Sequence, residues 1–204
     1  MTLRVSALDG TVTLTLPKGA PEAAGLAFAE ERRDWIANAR AEVEPVSDVG
    51  PGTILSVEGA PVSIELYDGR APVLEDGVLR LPRKAPARQA VAFLKVLARD
   101  RLTAACDVSA ARLGVSYTAL TLRDTRSRWG SCTTAGRLMF SWRLAMAPPE
   151  VLFYVAAHEV AHLVHMDHSK AFWGVVGDIC PDWQTHRNWL RTDGRRLHAL
   201  RFDA

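Results

Sequence analysis

The sequence predicts an α+β protein, and three observations carry that reading. Apolar and polar residues alternate in short runs before residue 86, the apolar spacing turns helical from Pro86 onward, and the apolar segment 151–164 holds His158, Glu159 and His162 in its middle. A helix bearing those three polar residues, packed on a small sheet and preceded by a strand-rich N-terminal part with one helix, satisfies all three. At 204 residues, 48% hydrophobic and 24% charged, the chain has room for one domain, or for one domain with a small annex. The polar interruption keeps segment 151–164 short of the roughly 20 apolar residues of a membrane span, so membrane insertion is excluded. The first residues, Met1-Thr2-Leu3-Arg4-Val5-Ser6, show no basic stretch followed by an apolar one, and the expected location is cytoplasmic. Cys106, Cys132 and Cys180 are odd in number and widely spaced, as suits reduced thiols rather than a disulfide framework.

The net charge of +2 hides a division. Residues 1–79 carry 6 Lys+Arg against 13 Asp+Glu, net −7, and residues 80–204 carry 19 against 10, net +9. The basic part could bind a polyanion such as nucleic acid, or both parts could be solvated faces.

Residues 1–85 read as strands around one helix. Residues 3–16 alternate about Asp9-Gly10, and β-rich runs at 53–67 and 72–81 are cut by Gly59-Ala60-Pro61, Asp68-Gly69 and Asp76-Gly77. A helix over 21–43 has Phe28, Trp35, Ile36 and Ala39 as inward positions. Residues 46–52 form a loop and 81–86 the best linker, dividing the chain into 1–85 and 86–204 unless the two make one continuous domain. Beyond it, Val91, Leu94, Leu97, Ala98, Leu102 and Ala105 make an amphipathic stripe, and 108–113 a shorter helical turn ending at Gly114. Strands follow at 117–122 and 137–144, the second alternating through Leu138, Phe140, Trp142 and Leu144. Pro148-Pro149-Glu150 then opens a helix, with proline in its first turn and a carboxylate at its positive end.

His158-Glu159-Val160-Ala161-His162 lies inside that helix, where residues four apart share a face, so both imidazoles can reach one ion. A zinc ion held there lowers the pKa of a bound water, and Glu159 is placed to take its proton. Accidental matches to this pattern, given 6 histidines and 10 glutamates in the chain, number about 0.008. The alternative is a buried His/Glu cluster hydrogen-bonded without metal.

Geometry narrows the third ligand. His165 lies seven residues from His158, about 10.5 Å along a straight helix, too far for bonds of about 2.0–2.1 Å to meet at one ion. The ligand must come from beyond the helix end, where Ser169 is a plausible cap for a following helix over 170–179 and His168 sits on the turn. Glu159 is the last glutamate, so no downstream glutamate can serve. His168 is favoured, with His165 and Asp167 as rivals and Asp178 or Asp182 as substitutes.

The ligand spacing matches that of the metzincins, but no methionine follows Met166 to form their Met-turn. A longer series of motifs points elsewhere: Arg126-Ser127-Arg128-Trp129-Gly130-Ser131-Cys132, Gly136-Arg137-Leu138, Trp142-Arg143-Leu144 with Pro148-Pro149, Tyr154-Val155 before the His-Glu helix, and His168-Ser169 followed by Phe172-Trp173. In these the chain resembles the YgjP-like (DUF45) metallopeptidases, relatives of the SprT-like zinc proteases. The resemblance is close over residues 123–190. It departs at Ser141, Phe153 and Asp167, where the family often has Asn, Asp and Asn. It implies a zincin-like catalytic domain, a zinc-dependent cytoplasmic hydrolase, and His158, His162 and His168 as metal ligands, but leaves the substrate open; a peptide or protein is the expected one.

Other residues admit two readings each. Arg126, Arg128, Arg137 and Arg143, with Trp129 and Trp142, could line a cleft that holds an extended substrate, or Trp142 and its alternating neighbours could be core. Cys132 could coordinate zinc in a resting state or be a buried thiol. A C-terminal helix over 182–200 would present Arg187, Arg191, Arg195 and Arg196 on a basic outer face. Tyr154, His165 and Arg128 are unranked candidates for an oxyanion donor. The activities that fit are a zinc peptidase using Glu159 as base, a metal-dependent nucleotide phosphohydrolase, weakened by the lack of a phosphate-cradling Gly-rich loop, and an SprT-like nucleic-acid-associated protein.

Overall fold

The computed structural model describes every residue except 7, 8, 42, 44, 203 and 204. The chain divides into two compact units, Met1–Ser47 and Asp48–Ala204. In the first, β1 (Thr2–Val5) and β2 (Val12–Thr15) pair antiparallel, Thr2 opposite Thr15 and Val5 opposite Val12. Residues 7 and 8 of the expected alternating run lie outside the described residues, as does residue 42 of the expected helix.

That helix is two helices, α1 (Glu22–Glu30) and α2 (Arg33–Ala41). The break is local: the Arg32 N–H donates to Ala29 O at 3.1 Å, a three-residue closure that tightens the last turn. Arg32 also folds its guanidinium 3.8 Å over the Phe28 ring. Restarting the helix at Arg33 turns Ile36 and Ala39 inward to half-burial and leaves Trp35, expected inside, 50% exposed.

At the boundary lies the short β3 (Ser47–Asp48). In the second unit β4 (Ile54–Val57), β5 (Ala60–Tyr67), β6 (Val73–Glu75) and β7 (Val78–Pro82) form a sheet in the order β4-β5-β7-β6, with β5 and β7 parallel. Its two hairpins turn at Glu58 with Gly59 and at Asp76 with Gly77, all four at positive φ, as type I′ turns require. Residues 81–86, read as a linker, lie within this unit: Leu81 is fully buried, and Pro86 starts α3 (Pro86–Leu113). One unbroken helix therefore replaces the two pieces expected there. It buries Ala90, Leu94, Ala98, Leu102 and Ala105, satisfies the buried Ser109 hydroxyl on Ala105 O at 2.8 Å, and ends at Gly114 with φ 64°.

A second sheet follows, built from β8 (Ala119–Arg123), β9 (Gly130–Cys132) and β10 (Arg137–Ser141) in the order β8-β10-β9. β10 runs parallel to β8 and antiparallel to β9, which is left as an edge. Leu138 and Phe140 point into the core. Trp142 and Leu144 are buried as expected, but in a 3-10 turn (Trp142–Met146) rather than a strand. Then come α4 (Pro149–Ala161), α5 (Lys170–Ile179), α6 (Trp183–Thr192), a 3-10 turn (Gly194–His198) and β11 (Leu200–Arg201). The C-terminal helix expected over 182–200 thus stops before Gly194, where a Cβ would lie 3.0 Å from Trp129 Cζ2. The architecture is α+β, with α4 in contact with α3, β9, α5 and α6. Among the described residues no helix is long and apolar enough to cross a membrane.

Candidate metal centre

α4 buries Val151, Val155, Ala156 and Val160 in the core, and this burial sets which way His158 and His162 face. The regular helix ends at Ala161. His162 keeps helical dihedrals (φ −65°, ψ −17°), so it still lies one turn below His158 on the same face. The chain then reverses. The Ser169 N–H donates to Asp167 Oδ1 at 2.9 Å, and the Phe172 N–H donates to Ser169 Oγ at 3.4 Å, a side-chain cap on α5 that brings His168 back toward α4.

The outcome is a cluster in which one ligand atom each from His158, His162 and His168 lie within 4.8 Å of one another. His165, Asp167, Asp178 and Asp182, the other residues weighed for this place, are not in the cluster. His158 Nε2 is 3.2 Å from His168 Nε2, two ring nitrogens aimed at each other. His162 Nδ1 donates to His165 O at 2.9 Å, which directs the lone pair to Nε2. Sequence reasoning had missed this use of His165: its carbonyl, not its ring, orients a neighbour. Burial, reinforced by the neighbouring histidines, pushes His158 down to about 3, and burial lowers His162 as well. Both imidazoles are therefore neutral near neutral pH, with lone pairs converging where protonated rings would repel. This donor set suits a divalent cation, for which imidazole must be deprotonated. Phe172 stacks on His162 with centroids 4.4 Å apart, and Trp173 flanks His168 at 5.8 Å.

Glu159, 5% exposed, rests against β9 and lines the same recess as the three histidines. Burial raises its carboxyl to about 8, and Arg128 works against that rise. A Cβ on Gly130 would stand 2.6 Å from Glu159 Oε1. Only glycine lets the sheet edge come this close to the carboxylate.

Two openings meet at these groups. A cleft of about 650 Å³ is lined by Arg128, Trp129, Tyr154, Trp183, Arg187 and Arg191 together with His158 and Glu159. A recess of about 250 Å³ holds Cys132, Met166 and the three histidines. Of the four arginines expected at a cleft, only Arg128 lines this one. Arg143 is structural: it pairs with Asp124 at 2.7 and 3.2 Å and donates to Leu197 O and Leu200 O. Arg187 and Arg191, assigned to an outer face, instead face the cleft, because α6 packs against α4. Tyr154 and Arg128 remain at the cleft as candidate oxyanion donors, the Tyr154 phenol pushed up to about 12 by burial and so a neutral donor. Burial raises the Cys132 thiol to about 11, and the thiol lies outside the three-histidine cluster.

The YgjP-like metallopeptidase domain family matches residues 1–193. The chain belongs to this family. It is a peptidase-like hydrolase, and the family's metal requirement agrees with the three-histidine cluster. A solved structure, the metallopeptidase zymogen of Pyrococcus abyssi abylysin, is similar over 47% of this chain and 93% of its own, with 22% identity and a TM-score of 0.40. No curated protein matches.

The contact at Gly130 yields a prediction. Gly130→Ala is expected to displace the Glu159 carboxylate and cut turnover by about 10²-fold, the scale of a misplacement of about 1 Å, while metal content is unchanged. Metal analysis beside turnover measures both, and full activity would mean that the carboxylate needs no such fixed seat.

Proposed function

We propose that this metallopeptidase is a zinc enzyme in which His158, His162 and His168 hold the ion and Glu159 is the general base, with residues 86–204 as the catalytic part. The observation that carries the reading is the convergence of three imidazoles beside a buried carboxylate held against a strand edge. Zinc, when bound, acidifies a water and polarises a carbonyl. Glu159 takes the proton of the attacking water and returns it to the leaving amine. A carboxyl raised toward neutrality by burial, then drawn down by a cation beside it, is suited to both halves of that transfer. β9 offers unpaired backbone groups at the cleft, where an extended peptide can add as a further strand. Trp129 and Tyr154 form walls against which its side chains rest.

The test is metal analysis with peptide hydrolysis. About one zinc per chain is expected, with activity lost to a chelator and restored by zinc. Full activity in chelator-treated, metal-free protein would end the reading. The third ligand has its own test: His168→Ala is expected to lose metal far more than His165→Ala, because only the His168 ring enters the cluster. The reverse order, measured by zinc titration, would move the ligand to His165.

A further inference from the structure

Three arginines face the cleft beside the histidine cluster: Arg128 from the loop before β9, and Arg187 and Arg191 one turn apart on α6. The only carboxylate among the lining residues is Glu159, which is buried and committed to the base role. Elsewhere arginines meet acids, as Arg143 does Asp124, Arg101 does Glu58 and Arg83 does Asp68. Among the described residues no carboxylate lies within ion-pair distance of Arg128 or Arg187.

Arg187 is also held in place. Its guanidinium lies 5.1 Å over the Trp173 ring, Trp173 stacks on Trp183 at 4.2 Å, and Trp173 flanks His168. Cation–π contact with a packed indole stiffens a side chain that would otherwise lose rotamer freedom on binding. Arg187 and Arg128 line the same cleft as His158, Glu159 and Tyr154. Both guanidiniums therefore stand beside the candidate metal centre, in a cleft of about 650 Å³, a size that holds a few peptide side chains. The planar guanidinium fork is matched to a carboxylate.

Resting on the zinc-peptidase reading, we propose that the cleft selects peptides with an aspartate or glutamate beside the scissile bond, its carboxylate paired with Arg187 and Arg128.

The experiment uses the zinc-loaded protein and short labelled peptides that differ at one position near the cleavage site: Glu or Asp, Gln or Asn, and Lys. Cleavage is followed as kcat/KM, and binding is measured on zinc-loaded Glu159→Gln, which should hold peptide without turning it over. A preference of about tenfold or more for the acidic peptide over its amide counterpart is expected, the scale of a charge-assisted hydrogen bond. Arg187→Gln combined with Arg128→Gln should bring the ratio close to one. Arg187→Glu should shift preference toward Lys, and Arg187→Lys should keep part of the acidic preference. Arg195→Gln, outside the cleft lining, should leave the ratio where it was. Equal cleavage of all peptides, or a preference untouched by the arginine variants, would overturn the selectivity while leaving the peptidase reading intact. Neither cleavage nor binding of any peptide would overturn both. Displacement of bound peptide by a single-stranded oligonucleotide or ATP, falling steeply with salt, would make the arginines a phosphate site and overturn the carboxylate assignment.

Discussion

Glu159→Gln is expected to bind zinc as the wild type does and to hydrolyse peptide about 10² to 10⁴ times more slowly, or worse, the range assigned to general-base catalysis. The amide fills the same space against Gly130, where the clearance is set by the backbone of β9 and not by the charge of the side chain. It can still hydrogen-bond a water but cannot take a proton from it. Because the wild-type carboxyl is raised by burial, removing its charge relieves a desolvation cost, and thermal stability should hold or rise. Zinc content, unfolding temperature and turnover measured on one preparation separate these effects. A Glu159→Gln enzyme with wild-type turnover on any peptide would remove Glu159 from the mechanism.

His162→Ala is expected to abolish zinc binding and with it all activity. Two imidazoles cannot complete a tetrahedral site, and His162 is the ligand candidate whose ring is most firmly aimed, by His165 O on one side and stacked Phe172 on the other. The same change leaves a void beside Phe172, so a loss of stability accompanies the loss of metal. His162→Gln keeps more of the volume and separates the two: metal should still be lost, with a smaller fall in stability. Stoichiometric zinc in either variant would remove His162 from the ligand set.

The histidine cluster was legible because it rests on rules that operate over a few residues. Helical periodicity places His158 over His162, the length of a rigid rod keeps the His165 ring from the same point, and Ser169 marks the next helix. What escaped was decided by packing between distant segments. Gly130 reads as an ordinary turn glycine until Glu159, far along the chain, comes to rest against it. Arg187 and Arg191 share one face of α6, and only its docking on α4 decides that this face lines the cleft. Arg143 carries the same charge as Arg128 and lies in a similar motif, yet it is buried as a structural tie. The split at Arg32 and the exposure of Trp35 fall where no proline or glycine interrupts the helical pattern.

The tie made by Arg143 has a consequence for the order of assembly during synthesis. Its guanidinium donates to Leu197 O and Leu200 O, 54 and 57 residues downstream, and Trp129 at the cleft wall leans on His198, with centroids 5.0 Å apart, and on the bare face of Gly194. A nascent chain that has emerged as far as α5 carries all three histidines and Glu159, but its Arg143 is a cation short of half its acceptors and its Trp129 has no backing. Asp124 still pairs with it, but a buried guanidinium with half its contacts unmade is costly, so the wall stays unset until residues 194–200 are in place.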